Sequence, residues 1–231
     1  MCGQDHGMPS TVRPMLHADP VSLFLCAFDI ERANIVTDTL ATTPGGDPCL
    51  FVTKATPVPP MRTIMVCTGI ADLGDRWAAK LRSGMLALDV EMLDTHTPGA
   101  LRELWREVCD EHGIDENSST TVYHVGMTLE GECHVYAYRS ASGFGSYRLP
   151  ESGLAIKPQP IENDGVPENL VDLAEYLREE QSAFPPAERI HIGGELFLTS
   201  ISADGIAMSH LHTFDDHREV WNAMNELAGS N

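Results

Sequence analysis

The sequence predicts an α+β protein in which antiparallel sheets are covered by helices. Short apolar runs of strand length occur in pairs separated by turn residues, and amphipathic stretches separate the pairs. Strands that follow one another across a tight turn pair antiparallel, and an amphipathic helix must bury its apolar stripe against a sheet or another helix. Two sheets packed face to face, with helices outside, would therefore bury every apolar face of this chain.

Eight strands are expected from the apolar runs and their flanking turns. Asp29–Arg32 supplies the first turn, and Ala203-Asp204-Gly205 is a strong signal for the last hairpin. The segment 140–165, rich in Gly, Ser and Pro, is expected to be a loop. The predicted strands lie near 22–28, 33–38, 50–54, 62–67, 120–127, 132–138, 195–202 and 205–212.

Four helices are expected between the strand pairs. The first opens at Gly69–Asp72, and its apolar positions keep three- and four-residue steps through Leu73, Trp77, Leu81, Met85, Leu88 and Met92. Thr97-Pro98 is a favourable N-cap and N1 pair for a second helix that stops at Gly113. A third begins at Pro167 and ends before Pro185-Pro186, and Asp215 or Asp216 caps the last.

Composition excludes several classes of partner. Fifteen Lys and Arg against 34 Asp and Glu give a formal net charge of −19, which repels nucleic acid and anionic membranes. Six cysteines without a CxxC pair predict free thiols in a reducing compartment, and no apolar run approaches the roughly 18 residues that span a bilayer. We expect a cytoplasmic protein with an irregular leader over 1–20 and a single domain over 21–231.

Three chemically distinct residues recur at intervals of sixteen. Ser22 begins the first strand, Asp38 ends the second and Lys54 follows the third. Hairpin strands bring such ends to one edge of a sheet, so a hydroxyl, a carboxylate and an ammonium are expected to meet there. This trio is the candidate catalytic site.

The spacing resembles the proteasome β-subunit and HslV branch of the N-terminal-nucleophile (Ntn) hydrolases. In that family a Thr or Ser opens a strand, an acid follows sixteen residues later and a lysine sixteen after that. The likeness extends loosely from about residue 21 to 212, and its further matching stretches are Thr37-Asp38-Thr39, Cys67–Asp72, Tyr123–Gly126 and Ile192–Gly194.

The resemblance implies a four-layer αββα sandwich and hydrolysis of a peptide or amide without metal or cofactor. Ser22 would attack the carbonyl, and the α-amine freed by cleavage after Val21 would serve as its base. Lys54 would lower the pKa of that amine, Asp38 would orient Lys54, and the backbone N–H near Gly69 would stabilise the oxyanion. The resemblance also implies a homo-oligomer, such as a ring.

The chain departs from the family pattern at three places. The segment 154–160 contains no serine where active subunits have Gly-Ser-Gly, and Arg189 and Ile192 replace an acid and a serine. Val21 precedes Ser22 where self-cleaving relatives usually have glycine. These departures keep open a second function, a non-catalytic proteasome-like scaffold or binding protein that retains its leader and acts through assembly.

Other motifs give weaker indications. Met1-Cys2-Gly3 resembles the start of glutamine amidotransferases, although no apolar strand follows it. His210 and His212 would share one strand face, which with Asp215 and His217 permits a metal cluster. A solvated strand face explains the same HxH pattern, so no metal is expected. Gly193-Gly194 precedes a strand, which does not fit a phosphate-binding loop.

Overall fold

The computed structural model describes residues 22–43, 45–84, 87–115, 118–161, 165–186 and 188–228. Within them the chain forms twelve β-strands and four α-helices, which confirms the α+β class. The strands are β1 (Phe24–Phe28), β2 (Arg32–Asp38), β3 (Leu40–Thr42), β4 (Pro48–Phe51), β5 (Ala55–Val58), β6 (Thr63–Thr68), β7 (Thr121–Met127), β8 (Cys133–Arg139), β9 (Ser146–Arg148), β10 (Gly153–Lys157), β11 (Glu195–Ser202) and β12 (Gly205–Thr213). The helices are α1 (Ala71–Ser83), α2 (Val90–His112), α3 (Leu170–Ser182) and α4 (His217–Ala228).

The strands form two five-stranded sheets and one small hairpin, all antiparallel. The first sheet has the order β10-β1-β2-β11-β12, and the second has the order β5-β6-β7-β8-β9. The hairpin of β3 and β4 stands apart from both sheets. Strands joined by turns pair with each other as expected, including β1 with β2, β7 with β8 and β11 with β12.

Three apolar clusters hold these elements together. One packs between the two large sheets, where Phe24 of β1 stacks on Tyr123 of β7 with 4.1 Å between ring centroids. A second packs α1 and α2 on the second sheet around the buried Trp77. The third packs Leu173 and Leu177 of α3 on the first sheet. Each large sheet therefore buries one face against the other sheet and much of its second face against helices.

A buried polar pair lies inside the cluster beneath α1. The indole Nε1 of Trp77 donates to Nε2 of His124 at 2.9 Å, and both side chains are fully buried. Burial disfavours the charged imidazolium and lowers the pKa of His124 to about 3. The Nε2 of the neutral His124 therefore accepts a hydrogen bond in the core, whereas its buried Nδ1 has no hydrogen-bond partner among the described residues.

The helix boundaries around residue 90 differ from the sequence expectation. The first helix ends at Ser83, and the second begins at Val90, because the Asp89 carboxylate caps it by accepting from the Met92 N–H at 2.8 Å. Pro98 therefore lies inside α2 and does not start it. Leu88 and Met92 are exposed and do not extend the stripe of α1, and Met85 lies outside the described residues.

Four short strands were not expected from the apolar pattern. They are β3, β5, β9 and β10, and the last two lie in the segment 140–165 that was expected to be a loop. β10 completes the first sheet by pairing with β1, with Lys157 opposite Phe24. β3, β5 and β9 instead pair with strands next to them in the sequence. Pairing stabilises all four segments, since their own sequences give no clear strand period.

Two further expectations concern the chain ends and the membrane. None of the helices within the described ranges is long and apolar enough to cross a bilayer. The proposed leader over 1–20, with its Met1-Cys2-Gly3 motif, lies outside the described residues, as does Val21.

The buried imidazole predicts a specific acid sensitivity. Because the pKa of His124 falls from an ordinary 6.5 to about 3 on folding, the unfolded state binds the extra proton between these values. The contribution of neutral His124 to the free energy of unfolding is complete above pH 6.5. As the pH falls toward 3, protonation of the unfolded state lowers the free energy of unfolding by up to about 1.4 kcal/mol per pH unit. Urea denaturation of His124→Gln should show a shallower loss of stability with acid than wild type. The exposed His96→Gln variant is the control, and equal slopes for all three proteins would contradict the assignment.

The position of Pro98 inside α2 predicts that this residue lowers the stability of the protein. Its ring removes the N–H that would bond the Asp94 carbonyl within α2. Pro98→Ala should therefore raise the free energy of unfolding by about 1–3 kcal/mol, after allowance for a more flexible unfolded chain. Chemical denaturation measures this change, and Pro185→Ala, outside the helices, should give no such gain. A neutral Pro98→Ala variant would instead match a helix that starts at Thr97.

Candidate active site

A buried ion pair forms the centre of the candidate site. The Nζ of Lys54 lies 2.6 Å from Oδ1 of Asp38, and the exposed fractions of the two side chains are 7% and 0%. Lys54 follows the β3–β4 hairpin, whereas Asp38 is the last residue of β2. Two of the three residues selected by the sixteen-residue spacing are therefore in direct contact.

Asp38 also holds two backbone segments. Its Oδ1 accepts from the Leu23 N–H at 3.1 Å, directly after Ser22, and its Oδ2 accepts from the Gly193 N–H at 3.2 Å. Lys54 donates a second hydrogen bond to the Leu40 carbonyl at 2.7 Å. The carboxylate thus fixes the start of β1 and the approach to β11 in relation to the ammonium.

Burial and charge act in opposite directions on Lys54. Removal from water lowers the pKa of its ammonium, and the contact with the Asp38 carboxylate raises the pKa again. Burial is the larger effect, so the pKa of Lys54 lies below its ordinary value, and the Asp38 carboxylate opposes the loss of the positive charge.

Ser22 and Gly69 face the same pocket as Lys54. The pocket has a volume of about 230 Å³, and Ser22, Lys54 and Gly69 are all among its lining residues. The remaining wall is mostly apolar and comes from the β3–β4 hairpin, β6 and the start of α1, with contributions from Leu40, Leu50, Val52, Met65 and Ala71. The structure thus brings all four predicted site residues together, with the pair Asp38–Lys54 at 2.6 Å and the other two on the wall beside it.

Glycine is required at position 69 by the local backbone. Gly69 has φ +112°, and a Cβ there would lie 2.6 Å from both the Ser119 carbonyl oxygen and Thr120 Oγ1. The Thr120 hydroxyl accepts from the next amide, that of Ile70, at 3.1 Å. The turn between β6 and α1 thus brings Gly69 to the pocket wall, whereas the Ile70 N–H is already bonded to Thr120.

The pocket also contains a thiol, Cys67. Burial raises the pKa of Cys67 to about 12, so the group is a protonated thiol at neutral pH. Thiolates are the nucleophilic form of cysteine, so Cys67 is not a favourable nucleophile here. The hydroxyls on the wall belong to Ser22, Thr42, Thr53 and Thr56, and Ser22 is the one selected by the sixteen-residue spacing.

Lys157 is a residue at this end of the molecule that the sequence reasoning did not select. It ends β10, and its Nζ donates to Thr68 Oγ1 at 2.8 Å and lies 3.4 Å from Thr121 Oγ1. The segment 154–160 was singled out only because it lacks a serine. A lysine at the end of a five-residue apolar run was the available signal, but only the pairing of β10 with β1 shows where it points.

The suggested histidine cluster does not form. A register shift between Leu196 and Phe197 changes the alternation, so that His210 packs against Phe197 whereas His212 contacts Glu175 of α3 at 3.0 Å. The two rings therefore point to opposite faces of the sheet. His217 instead packs on Phe51.

One group of three carboxylates within the described ranges has metal-like spacing. Asp89, Glu91 and Glu130 offer oxygens within 4.8 Å of one another. Asp89 is already occupied as the N-cap of α2 and as acceptor for the Leu129 N–H at 3.0 Å. Acidic groups at this spacing are common on protein surfaces, so the cluster alone does not define a site.

Because comparison with known proteins gives no match, the interpretation of the site rests on its geometry. No protein-family model matches the chain, and no curated protein matches it.

The buried Asp38–Lys54 pair predicts that replacing Asp38 and replacing Lys54 destabilise the protein by different amounts. Asp38→Asn leaves the Lys54 ammonium buried without its anion, and we expect a loss of about 3–5 kcal/mol in the free energy of unfolding. Lys54→Met should cost less, because Asp38 keeps its two backbone donors. The double variant Asp38→Asn/Lys54→Met should be more stable than Asp38→Asn alone.

Chemical denaturation of the three variants measures these changes. Glu111→Gln, which removes an exposed partner of Arg76, is the control and should cost less than about 1 kcal/mol. Additive effects of the two buried substitutions would show that the ammonium and carboxylate are not energetically coupled.

Proposed function

We propose that this chain is a proteasome-like Ntn-hydrolase-fold protein and a self-processing amidohydrolase with Ser22 as nucleophile. The observation that carries the proposal is the buried 2.6 Å contact of Lys54 with Asp38 at a pocket that Ser22 and Gly69 also line. A buried ion pair is costly to desolvate, and perturbed titratable groups in a pocket are typical of functional sites.

The arrangement of the sheets supports the same proposal. The apolar clusters lie between helices and the second sheet, between the two sheets, and between the first sheet and α3. We interpret these as the layers of an αββα sandwich, in which the site residues lie at one end between the sheets.

Self-processing would begin at the Val21–Ser22 peptide bond. The Ser22 hydroxyl adds to the Val21 carbonyl, its proton passes to the departing nitrogen, and the C–N bond breaks to leave an ester. Water then hydrolyses the ester, which releases the preceding segment and leaves Ser22 with a free α-amine and its hydroxyl. Hydrolysis of a substrate would repeat this chemistry, with the α-amine taking the hydroxyl proton and giving it to the leaving amine.

The surrounding groups would tune these steps. The positive charge of Lys54 disfavours protonation of a nearby α-amine and so lowers its pKa toward neutrality. The backbone amide at Gly69 would donate to the oxyanion, an interaction whose loss elsewhere costs about 3–4 kcal/mol. The apolar wall would hold the side chain that precedes the cleaved bond.

A non-catalytic scaffold or binding protein is the second candidate. Ser22 is only 6% exposed, and in the intact chain its nitrogen is part of a peptide bond. The Asp38–Lys54 pair would then be purely structural. Under either function we propose a cytoplasmic homo-oligomer that acts without a metal or cofactor.

Intact mass spectrometry tests the proposal directly. Full-length wild type should lose residues 1–21 on incubation, whereas Ser22→Ala should keep its full mass.

The matched control is Ser83→Ala, an exposed serine whose hydroxyl bonds the Ala79 carbonyl at the end of α1. Ser83→Ala should process like wild type. A wild-type mass that stays complete after prolonged incubation would favour the scaffold.

A further inference from the structure

Two basic residues lie near the candidate site. Lys157 extends from the first sheet to the second, where the hydroxyls of Thr68 and Thr121 bind its Nζ. Arg139 lies directly opposite Thr121 in the pairing of β7 with β8. Side chains at directly opposed positions share one face of a sheet, with Cβ atoms about 5 Å apart. The Arg139 side chain therefore begins on the face of the sheet where Thr121 contacts the Lys157 ammonium.

Burial distinguishes the two basic residues from each other: Lys157 is half-buried, whereas Arg139 is exposed. Of the fourteen Lys and Arg in the described ranges, four contact a carboxylate, namely Arg32, Lys54, Arg76 and Arg178. In the part of the chain that the structure describes, no carboxylate lies within 4.0 Å of the Lys157 ammonium or the Arg139 guanidinium. A half-buried cation without an anion is costly, so a bound anion would relieve a real penalty.

The response of Lys157 to its surroundings agrees with this geometry. Burial is the largest effect and lowers the pKa of its ammonium, and the positive charge of Arg139 lowers the pKa further. Within the described ranges the hydrogen-bond partners of the ammonium are the hydroxyls of Thr68 and Thr121.

This cationic pair borders the candidate active site. Thr68, which accepts from Lys157, directly precedes Gly69 on the pocket wall, and Cys67 lines the same pocket. Lys157 also lies opposite Phe24, two residues after Ser22. Lys157 is therefore linked to the pocket by two neighbours: Thr68 of β6, which it binds, and Phe24 at the start of β1, which lies opposite it.

We propose that Lys157 and Arg139, with the hydroxyls of Thr68 and Thr121, form a subsite that binds a carboxylate of the substrate. The substrate class is then an amide or peptide with a carboxylate near the bond that Ser22 attacks. This assignment of substrate rests on the proposed function, whereas carboxylate binding itself needs no catalysis.

The chemistry of the four groups fits a carboxylate. An ammonium and a guanidinium donate charge-assisted hydrogen bonds to its two oxygens, and such bonds are roughly twice as strong as neutral ones. Hydroxyls can donate as well as accept. The Thr68 hydroxyl already donates to the Thr121 carbonyl at 3.4 Å and both threonines are buried, so Lys157 and Arg139 are the groups that an incoming anion would reach first. A terminal carboxylate and an acidic side chain present the same group, so the experiment uses both.

Binding is best measured with the full-length Ser22→Ala protein, which cannot hydrolyse the probe. Three peptides serve as probes: acetyl-Ala-Ala with a free terminal carboxylate, acetyl-Ala-Glu-amide and the neutral acetyl-Ala-Gln-amide. Amide NMR signals of Thr68, Gly69 and Thr121 should shift saturably with at least one acidic peptide and not with the neutral one. The shifts should weaken as salt is added.

Two substitutions locate the subsite. Lys157→Met and Arg139→Met, each in the Ser22→Ala protein, should weaken binding of the acidic peptide at least tenfold, and the exposed Lys80→Met is the matched control. Well-dispersed spectra of both variants establish that they are folded; if Lys157→Met does not fold, Lys157→Arg, which keeps the charge, should bind the peptide while Arg139→Met does not.

The possible results are distinct. Preference for one acidic peptide identifies the terminal or side-chain source of the carboxylate. Equal binding of acidic and neutral peptides, no binding of any, or equal weakening by Lys80→Met would overturn the subsite. None of these results bears on the mass change at Val21–Ser22, so failure of the subsite and failure of self-processing are separable.

Discussion

The Asp38–Lys54 ion pair is the constraint on which this end of the molecule depends. One carboxylate, fully buried, accepts from a lysine 16 residues away, from the amide after Ser22 and from an amide 155 residues away. Such a group is tolerable in a protein interior only if all its partners stay in place. The pair therefore fixes the positions of β1, β2, the β3–β4 hairpin and the approach to β11 at once.

The two lysines at this end show how surroundings decide a role. Lys54 is buried against the Asp38 anion and one further acceptor, the Leu40 carbonyl, so its charge is internally compensated. Lys157 reaches the same region from another strand but finds hydroxyl groups, and the nearby Arg139 adds positive charge. The first arrangement suits the tuning of a neighbouring amine, and the second suits an anion that arrives from outside.

Local pattern accounts for much of the fold. The turn-linked pairs β1–β2, β7–β8 and β11–β12 follow from apolar runs bounded by turn residues, and α3 follows from its stripe and terminal prolines. Pro98 misled the prediction because proline is favoured at N1, yet here the Asp89 cap and the buried Val90 and Leu93 begin the helix earlier. The register shift in β11–β12 could not be foreseen either, since one extra residue reverses which face a side chain occupies.

For the site, sequence alone determined which chemical groups were available and that Ser22, Asp38 and Lys54 recur at strand ends. Tertiary structure decided that Asp38 and Lys54 touch, that Gly69 and Ser22 share a pocket with Lys54, and that Lys157 binds Thr68 next to Gly69. The physical reason is range: strand period and capping act over a few residues, whereas the Gly193 amide and the β10–β1 pairing act across more than a hundred. Such contacts depend on the packing of the whole chain.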